Sequence, residues 1–137
     1  MLDANAYNAP LIDEYRANAG VVKGWESTPL LLLTTTGARS GTRHTTPAVY
    51  TTDGDRLVVV ASYAGAPNNP AWYHNLLAHP NATVELGTDT FDVHAEVAEG
   101  DERERLYRAQ AAVLPAFDDY KQKTTRQIPV ILLTRTA

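Results

Sequence analysis

Between Thr34 and Pro47 the chain reads Thr-Thr-Thr-Gly-Ala-Arg-Ser-Gly-Thr-Arg-His-Thr-Thr-Pro, and residues able to do chemistry crowd there. Arg39 and Arg43 bring fixed positive charge, His44 an imidazole, and Ser40, Thr42, Thr45 and Thr46 hydroxyls. Gly37 and Gly41 bracket the turn, so positive φ is open to the backbone at both ends. No Asp or Glu occurs from Ser27 to Thr52, although the whole chain carries a formal charge of -4. A Gly-rich turn aims successive N–H groups into a concavity, and two arginines beside it make an anion pocket. A solvated hairpin turn with two surface arginines is the competing reading of the same residues.

Other chemistries find little support. With no cysteine among 137 residues, disulfides, thiolate metal sites and a Cys nucleophile are excluded. There is no Gly-x-Ser-x-Gly elbow, Walker loop, dinucleotide Gly-x-Gly-x-x-Gly or His-Glu-x-x-His. Of the histidines, His74 and His79 lie five apart on one helix, a poor spacing for a shared metal, and His94 falls on the polar side of a strand. Only His44 lies in the turn. The acidic residues cluster at 99–104 and 118–119 as cap and surface charge. Mild acidity argues against a general nucleic-acid binder. No apolar run is long enough to span a bilayer and no signal-peptide pattern opens the chain, which implies a soluble, cytoplasmic protein.

The elements that must position this turn are legible in the pattern. Leu30 to Thr36 is a near-continuous apolar run, a strand buried on both faces, and Arg43 to Thr52 is a second strand. Asp53-Gly54 marks a two-residue hairpin into a third strand, Arg56 to Tyr63. Pairing Thr52 with Asp55 sets Tyr50 against Leu57 and Thr46 against Ala61, which brings Gly41 to Thr45 beside Ser62-Tyr63-Ala64-Gly65. Asn69 is a good N-cap and Pro70 a good first residue for a helix to His79 that buries Trp72, Tyr73, Leu76 and Leu77. Its positive N-terminus lies close in sequence to the same mouth.

Outside this region, Ala4 to Asn18 reads as a helix with Tyr7, Leu11, Ile12 and Tyr15 on one face, stopped by Gly20. Ala82 to Gly87 and Thr90 to Val97 form a second hairpin. Asp101 and Glu104 suggest a capping box for a helix with Leu106, Ala109 and Val113 inward. A short helical segment, Ala116 to Lys123, and a last strand from Pro129 complete the chain. Six strands with short helices predict a mainly β, α+β single domain over 1–137: an antiparallel sheet closed into a small barrel, with 1–24 as helix and linker. A pocket for an anionic aromatic molecule without nucleophile or metal fits a cofactor-dependent enzyme, or equally a plain binding module.

Several ordered motifs carry a resemblance: Thr34 to Gly41, Thr46-Pro47, Ala61-Ser62-Tyr63-Ala64-Gly65, and Asn69-Pro70-Ala71-Trp72-Tyr73-His74-Asn75-Leu76. Together they resemble the deazaflavin-dependent nitroreductases, or F420H2-dependent quinone reductases, of actinobacteria, over about Gly20 to Pro129. The resemblance implies a split β-barrel of the FMN-binding type and coenzyme F420, a deazaflavin with a phosphate and polyglutamate tail. It implies that Gly37, Arg39, Ser40 and Gly41, with Arg43 and His44, hold the phosphate and tail. Thr46, Pro47 and Ala61 to Gly65 would line the ring, with Asn69, Trp72 and Asn75 behind it, and Tyr120 would approach the acceptor. Hydride transfer to a quinone-like or nitroaromatic acceptor follows, with a homodimer and peripheral membrane contact as further expectations. His44 stands where family members often carry Arg, and Tyr63 where some carry Lys. Leu114 and Phe117 stand where nitro-reducing members place tyrosines, which favours quinones. A flavin mononucleotide-dependent reductase on the same fold and a non-catalytic F420 carrier are the alternatives.

Overall fold

The structure, a computed structural model, describes residues 4–61, 70–113 and 128–136, with the side chains of residues 4–7 outside the description. Six strands and three helices run α1 (Ala4–Ala17), β1 (Leu30–Thr36), β2 (Arg43–Asp53), β3 (Arg56–Val60), α2 (Ala71–Ala78), β4 (Asn81–Leu86), β5 (Asp89–Val97), α3 (Gly100–Val113) and β6 (Val130–Arg135). The strands close into an antiparallel barrel in the order β1-β2-β3-β6-β5-β4. The expected split-barrel architecture is therefore present. The expected helix at 116–123, the strand end at 62–63, and Leu114 and Phe117 lie outside the described residues.

Side-chain alternation sorts the core into three layers. Leu31, Leu33, Val59, Ile131 and Leu133 point into the barrel with Val84 and Val93, and Leu76 of α2 closes one end. Val58, Val60, Val130 and Leu132 point outward under α3, against Leu106, Tyr107 and Ala111. Leu32 points outward under α1, against Tyr15 and Val22. β1 and β6 are thus buried on both faces along most of their length, which is why they read as unbroken apolar runs.

Four local expectations give way to the structure. The β2–β3 turn closes at Asp53↔Arg56, with Thr52 opposite Leu57 rather than Asp55. Gly54 has φ +61°, whereas Asp55 does not have positive φ, so Gly54-Asp55 is the central pair of a II′-type turn. The slip is two residues, so every side chain keeps its face, but the predicted pairing of Thr46 with Ala61 is lost. At α2 the cap position belongs to Pro70, in extended conformation without a side-chain cap bond, rather than to Asn69. Trp72 and Tyr73 are half-buried and Leu77 is exposed; the buried residues of α2 are Asn75 and Leu76. α3 begins at Gly100, one residue before the proposed Asp101 cap. Its inner stripe is Arg103, Leu106, Tyr107, Gln110 and Ala111, while Ala109 and Val113 are exposed.

Tyr15 docks α1. It is 1% exposed, and its hydroxyl accepts the Gly87 N–H at 2.9 Å. The hydroxyl shares its own proton between the carbonyls of Leu30 and Glu85, at 3.1 and 3.2 Å. Beside it Arg16 grips Glu85 bidentately at 3.0 and 2.8 Å, but this pair is exposed and is worth at most about 1 kcal/mol. The phenol is the stronger tie. Burial pushes its pKa above the usual 10.0, with the Gly87 N–H acting in the opposite direction. A folded pKa above the unfolded one means stability that is present below pH about 10 and lost as pH rises through the folded value. Tyr15→Phe should cost about 1–3 kcal/mol in chemical denaturation near neutral pH, because Gly87 is left unpaired. The same substitution should flatten the loss of stability of the wild type above pH 10.

Candidate cofactor site

The β1–β2 turn is closed by its own backbone. The Gly37 N–H meets the Thr42 carbonyl at 2.7 Å and the Gly41 N–H meets the Gly37 carbonyl at 3.0 Å. The Ser40 hydroxyl accepts the Thr42 N–H at 3.1 Å. The two glycines do different work. Gly41 sits at φ +70°, a left-handed conformation that disfavours other residues. Gly37 has no positive φ, contrary to expectation, and is needed for space. A Cβ there would lie 2.5 Å from Ser40 Oγ and 3.3 Å from His44 Nε2. Ser40 and His44 therefore fold over Gly37.

Asn75 locks this turn to the barrel. It is 8% exposed, its Oδ1 accepts the Ala38 N–H at 3.0 Å, and its Nδ2 donates to Thr35 Oγ1 at 3.1 Å. Thr35 is itself fully buried at the end of β1. One side chain of α2 thus fixes the turn, the last inward residue of β1 and the helix relative to one another.

The pleat divides the remaining predicted residues. His44 and Thr46, opposite Thr35 and Leu33, share the inward face of β2. Arg43 and Pro47, opposite Thr36 and Leu32, share its outward face. Arg43 reaches across that face, donating to Thr36 Oγ1 at 3.3 Å and to Thr83 Oγ1 at 2.7 Å, and Thr83 in turn donates to Asp92 at 3.0 Å. Arg39 is exposed and has no ion-pair or hydrogen-bond partner among the described residues. Ala61 is buried, its N–H on the Pro129 carbonyl at 2.9 Å, and Trp72 packs on the barrel interior. Ser62, Tyr63, Ala64, Gly65, Asn69 and Tyr120 lie outside the described residues.

Beside the turn, the pairing of β2 with β3 among the described residues covers only part of β2. β2 spans 11 residues and β3 only 5, and the pairing between them runs from Asp53↔Arg56 to Tyr50↔Val59. Above Tyr50, β2 pairs with β1 alone among the described residues. The Tyr50 N–H bonds the Pro29 carbonyl toward β1, so by alternation the peptide groups of Thr45, Pro47 and Val49 face away from β1, toward the β3 side. Pro47 has no N–H to leave unsatisfied there, the usual place for proline in a sheet.

A turn rich in donors and free of carboxylates, with a guanidinium that has no partner among the described residues, suits an anionic compound. Residues 11–135 match the family described as F420H(2)-dependent quinone reductase. The chain belongs to that family. It is 38% identical over 110 residues to an F420H(2)-dependent quinone reductase of Mycobacterium tuberculosis, covering 78% of this chain and 74% of the relative. A solved structure described as an F420-H2-dependent reductase superposes with a TM-score of 0.71 at 36% identity, covering 77% of this chain and 93% of its own. Another, described as a domain-swapped dimer, gives a TM-score of 0.73 at 32% identity over 93% and 95% of the two chains. The protein is thus an oxidoreductase that uses reduced F420. The turn fits that cofactor by the chemistry of its donors: the unpaired Arg39 cation and hydroxyls at Ser40 and Thr42, with no carboxylate between Ser27 and Thr52 to oppose a phosphate.

One contributor went unremarked in the sequence. Thr35 looked like one more strand threonine, and only its partner on α2 reveals it.

Asn75→Leu should leave the Ala38 N–H and the Thr35 hydroxyl unpaired and cost about 1–3 kcal/mol in denaturant unfolding. Asn75→Asp keeps the acceptor for Ala38 and can receive a proton from Thr35, so it should retain most of the stability. Equal losses in the two variants would show that the amide does not hold the turn.

Proposed function

We propose that reduced F420 binds with its phosphate and tail at the Gly37–Gly41 turn and its ring in the parting between β2 and β3, and that it reduces quinones. The observation that carries this reading is the carboxylate-free Gly37–Gly41 turn, whose Arg39 has no partner among the described residues, continuous with the stretch of β2 above Tyr50 that pairs with β1 alone among those residues. Arg39 binds the anion. Asn75 holds the turn in place. Thr46, Pro47, Ala61 and Trp72 form the described part of the ring wall, with Ser62, Tyr63, Ala64, Gly65 and Asn69 completing it. Arg43, engaged with Thr36 and Thr83, adds positive potential from the outer face, and His44 lies on the inner side near the phosphate.

When bound, the reduced coenzyme supplies a hydride to the acceptor. Reduction of a quinone by hydride leaves negative charge on oxygen, and the hydroxyl of Tyr120 is the group that would neutralise it by giving up its proton. A homodimer is part of the same reading, supported by the relative described as a domain-swapped dimer. So is a cytoplasmic setting with contact at the inner face of the membrane, where quinones reside; no helix among the described residues is long and apolar enough to cross it.

Titration with oxidised F420 and, separately, flavin mononucleotide tests the site. F420 should bind alone and more weakly as salt rises. Arg39→Ala should weaken it about tenfold or more, and Arg43→Ala less, since that guanidinium is already occupied. Preference for flavin mononucleotide, or an Arg39→Ala variant that binds as the wild type does, would overturn the assignment. With a quinone and the reduced coenzyme, Tyr120→Phe should lower kcat by about a hundredfold, and unchanged turnover would remove Tyr120 from the reaction.

A further inference from the structure

Arg43 adjoins the turn in sequence, yet its guanidinium is tied to other strands. Its Nη1 donates to Thr36 Oγ1 at 3.3 Å and its Nη2 to Thr83 Oγ1 at 2.7 Å, so Thr83 is the closer partner. The Thr83 hydroxyl gives its own proton to Asp92 Oδ1 at 3.0 Å. An ionised carboxylate only accepts, so this bond fixes the direction of the chain: the hydroxyl proton points at Asp92, and its oxygen is left to accept from Arg43.

The register of the sheet assembles these groups. Thr45, Thr34, Thr83 and Asp92 stand opposite one another in a single row across β2, β1, β4 and β5. Arg43 and Thr36 form the next pair on the same outward face, so the guanidinium reaches diagonally across β1 to the Thr83 hydroxyl. Arg43 and Asp92 are exposed and Thr83 is half-buried, so a chain of this kind contributes little to stability. Its consequence is electrostatic. No carboxylate occurs from Ser27 to Thr52, and the register supplies one from β5 to a cation that adjoins the turn.

We propose that Thr83, oriented by Asp92, is a positioning residue that holds Arg43 back from the bound cofactor and so lowers the affinity for it. The inference rests on the placement of the phosphate and tail proposed above. Arg43 partitions between two acceptors, the Thr83 hydroxyl and an anionic oxygen of the ligand. The charged oxygen is the stronger acceptor, but the affinity is reduced by the fraction of molecules in which the guanidinium is already engaged. Thr83 acts through Arg43 and touches no reacting atom.

Titration with oxidised F420, alongside thermal unfolding of the ligand-free protein, tests this. Thr83→Val removes the hydroxyl and leaves the charge of the protein unchanged. It should unfold near the wild-type temperature and bind F420 about threefold more tightly, whereas loss of a merely structural bond would leave the affinity unchanged or lower it. Thr83→Ser keeps the hydroxyl and should bind as the wild type does. The gain must run through Arg43, so adding Thr83→Val to an Arg43→Ala protein should change nothing. Asp92→Asn should also tighten binding, and by a larger factor with Arg43 present than in the Arg43→Ala protein, where only the loss of a distant negative charge acts on the ligand. A Thr83→Val protein that folds and binds no more tightly than the wild type, or one that gains as much with Arg43→Ala as without it, would overturn the role of Thr83. Failure of the wild type itself to bind F420 would overturn the reading of the site instead.

Discussion

The proposed site depends on how far β2 is paired. β2 is 11 residues long and the described β3 is 5, and among the described residues they pair from Asp53↔Arg56 to Tyr50↔Val59. In a barrel closed all the way round, each strand satisfies its peptide groups on both edges and leaves no room for a ligand at the wall. Among the described residues, the lower end of β2 pairs with β3 and the upper end with β1 alone. Pro47, which has no N–H, leaves no peptide donor of its own to satisfy on that stretch.

The turn proposed to bind the anion stands at the top of the same strand, and the pleat decides what it presents. Adjacent residues of β2 face opposite ways, so Arg43 and His44 leave the strand on opposite faces. Arg43 is drawn to the outer face by Thr36 and Thr83, and His44 folds over Gly37 on the inner side. Arg39, on the turn itself and outside the pleat, is the guanidinium left without a partner among the described residues. A buried amide then does for the turn what side-chain packing does for the core. Through Asn75 the turn takes its place from α2 and β1 together, so it does not rely on its own few residues for rigidity.

Much of this was legible in the chain, and the rest was not for identifiable reasons. The limits of β1 could be read directly, because a strand buried on both faces leaves an unbroken apolar run that ends where the turn residues begin. The closeness of the turn to the end of α2 could be inferred from sequence order. The β2–β3 register could not: Asp53-Gly54-Asp55 offers glycine as the first or the second residue of a tight turn, and the two choices differ by two residues while burying the same side chains. The inner stripe of α3 was misread because Arg103 and Gln110 are polar, so Ala109 and Val113 seemed better core residues. The role of Thr35 depends on a partner 40 positions away, and no local pattern reports such a bond.

The central claim is that the cofactor lies at the parting above Tyr50, against the β1–β2 turn. The most direct measurement is a titration of isotopically labelled protein with oxidised F420, followed amide by amide by nuclear magnetic resonance. The account predicts that the largest shifts fall on Ala38 to Gly41 and on Thr45 to Val49, with Gly87 and the β4–β5 turn unmoved. Shifts centred on the outer surface of α3, or on the α1 side around Gly87, with the turn unchanged, would contradict it.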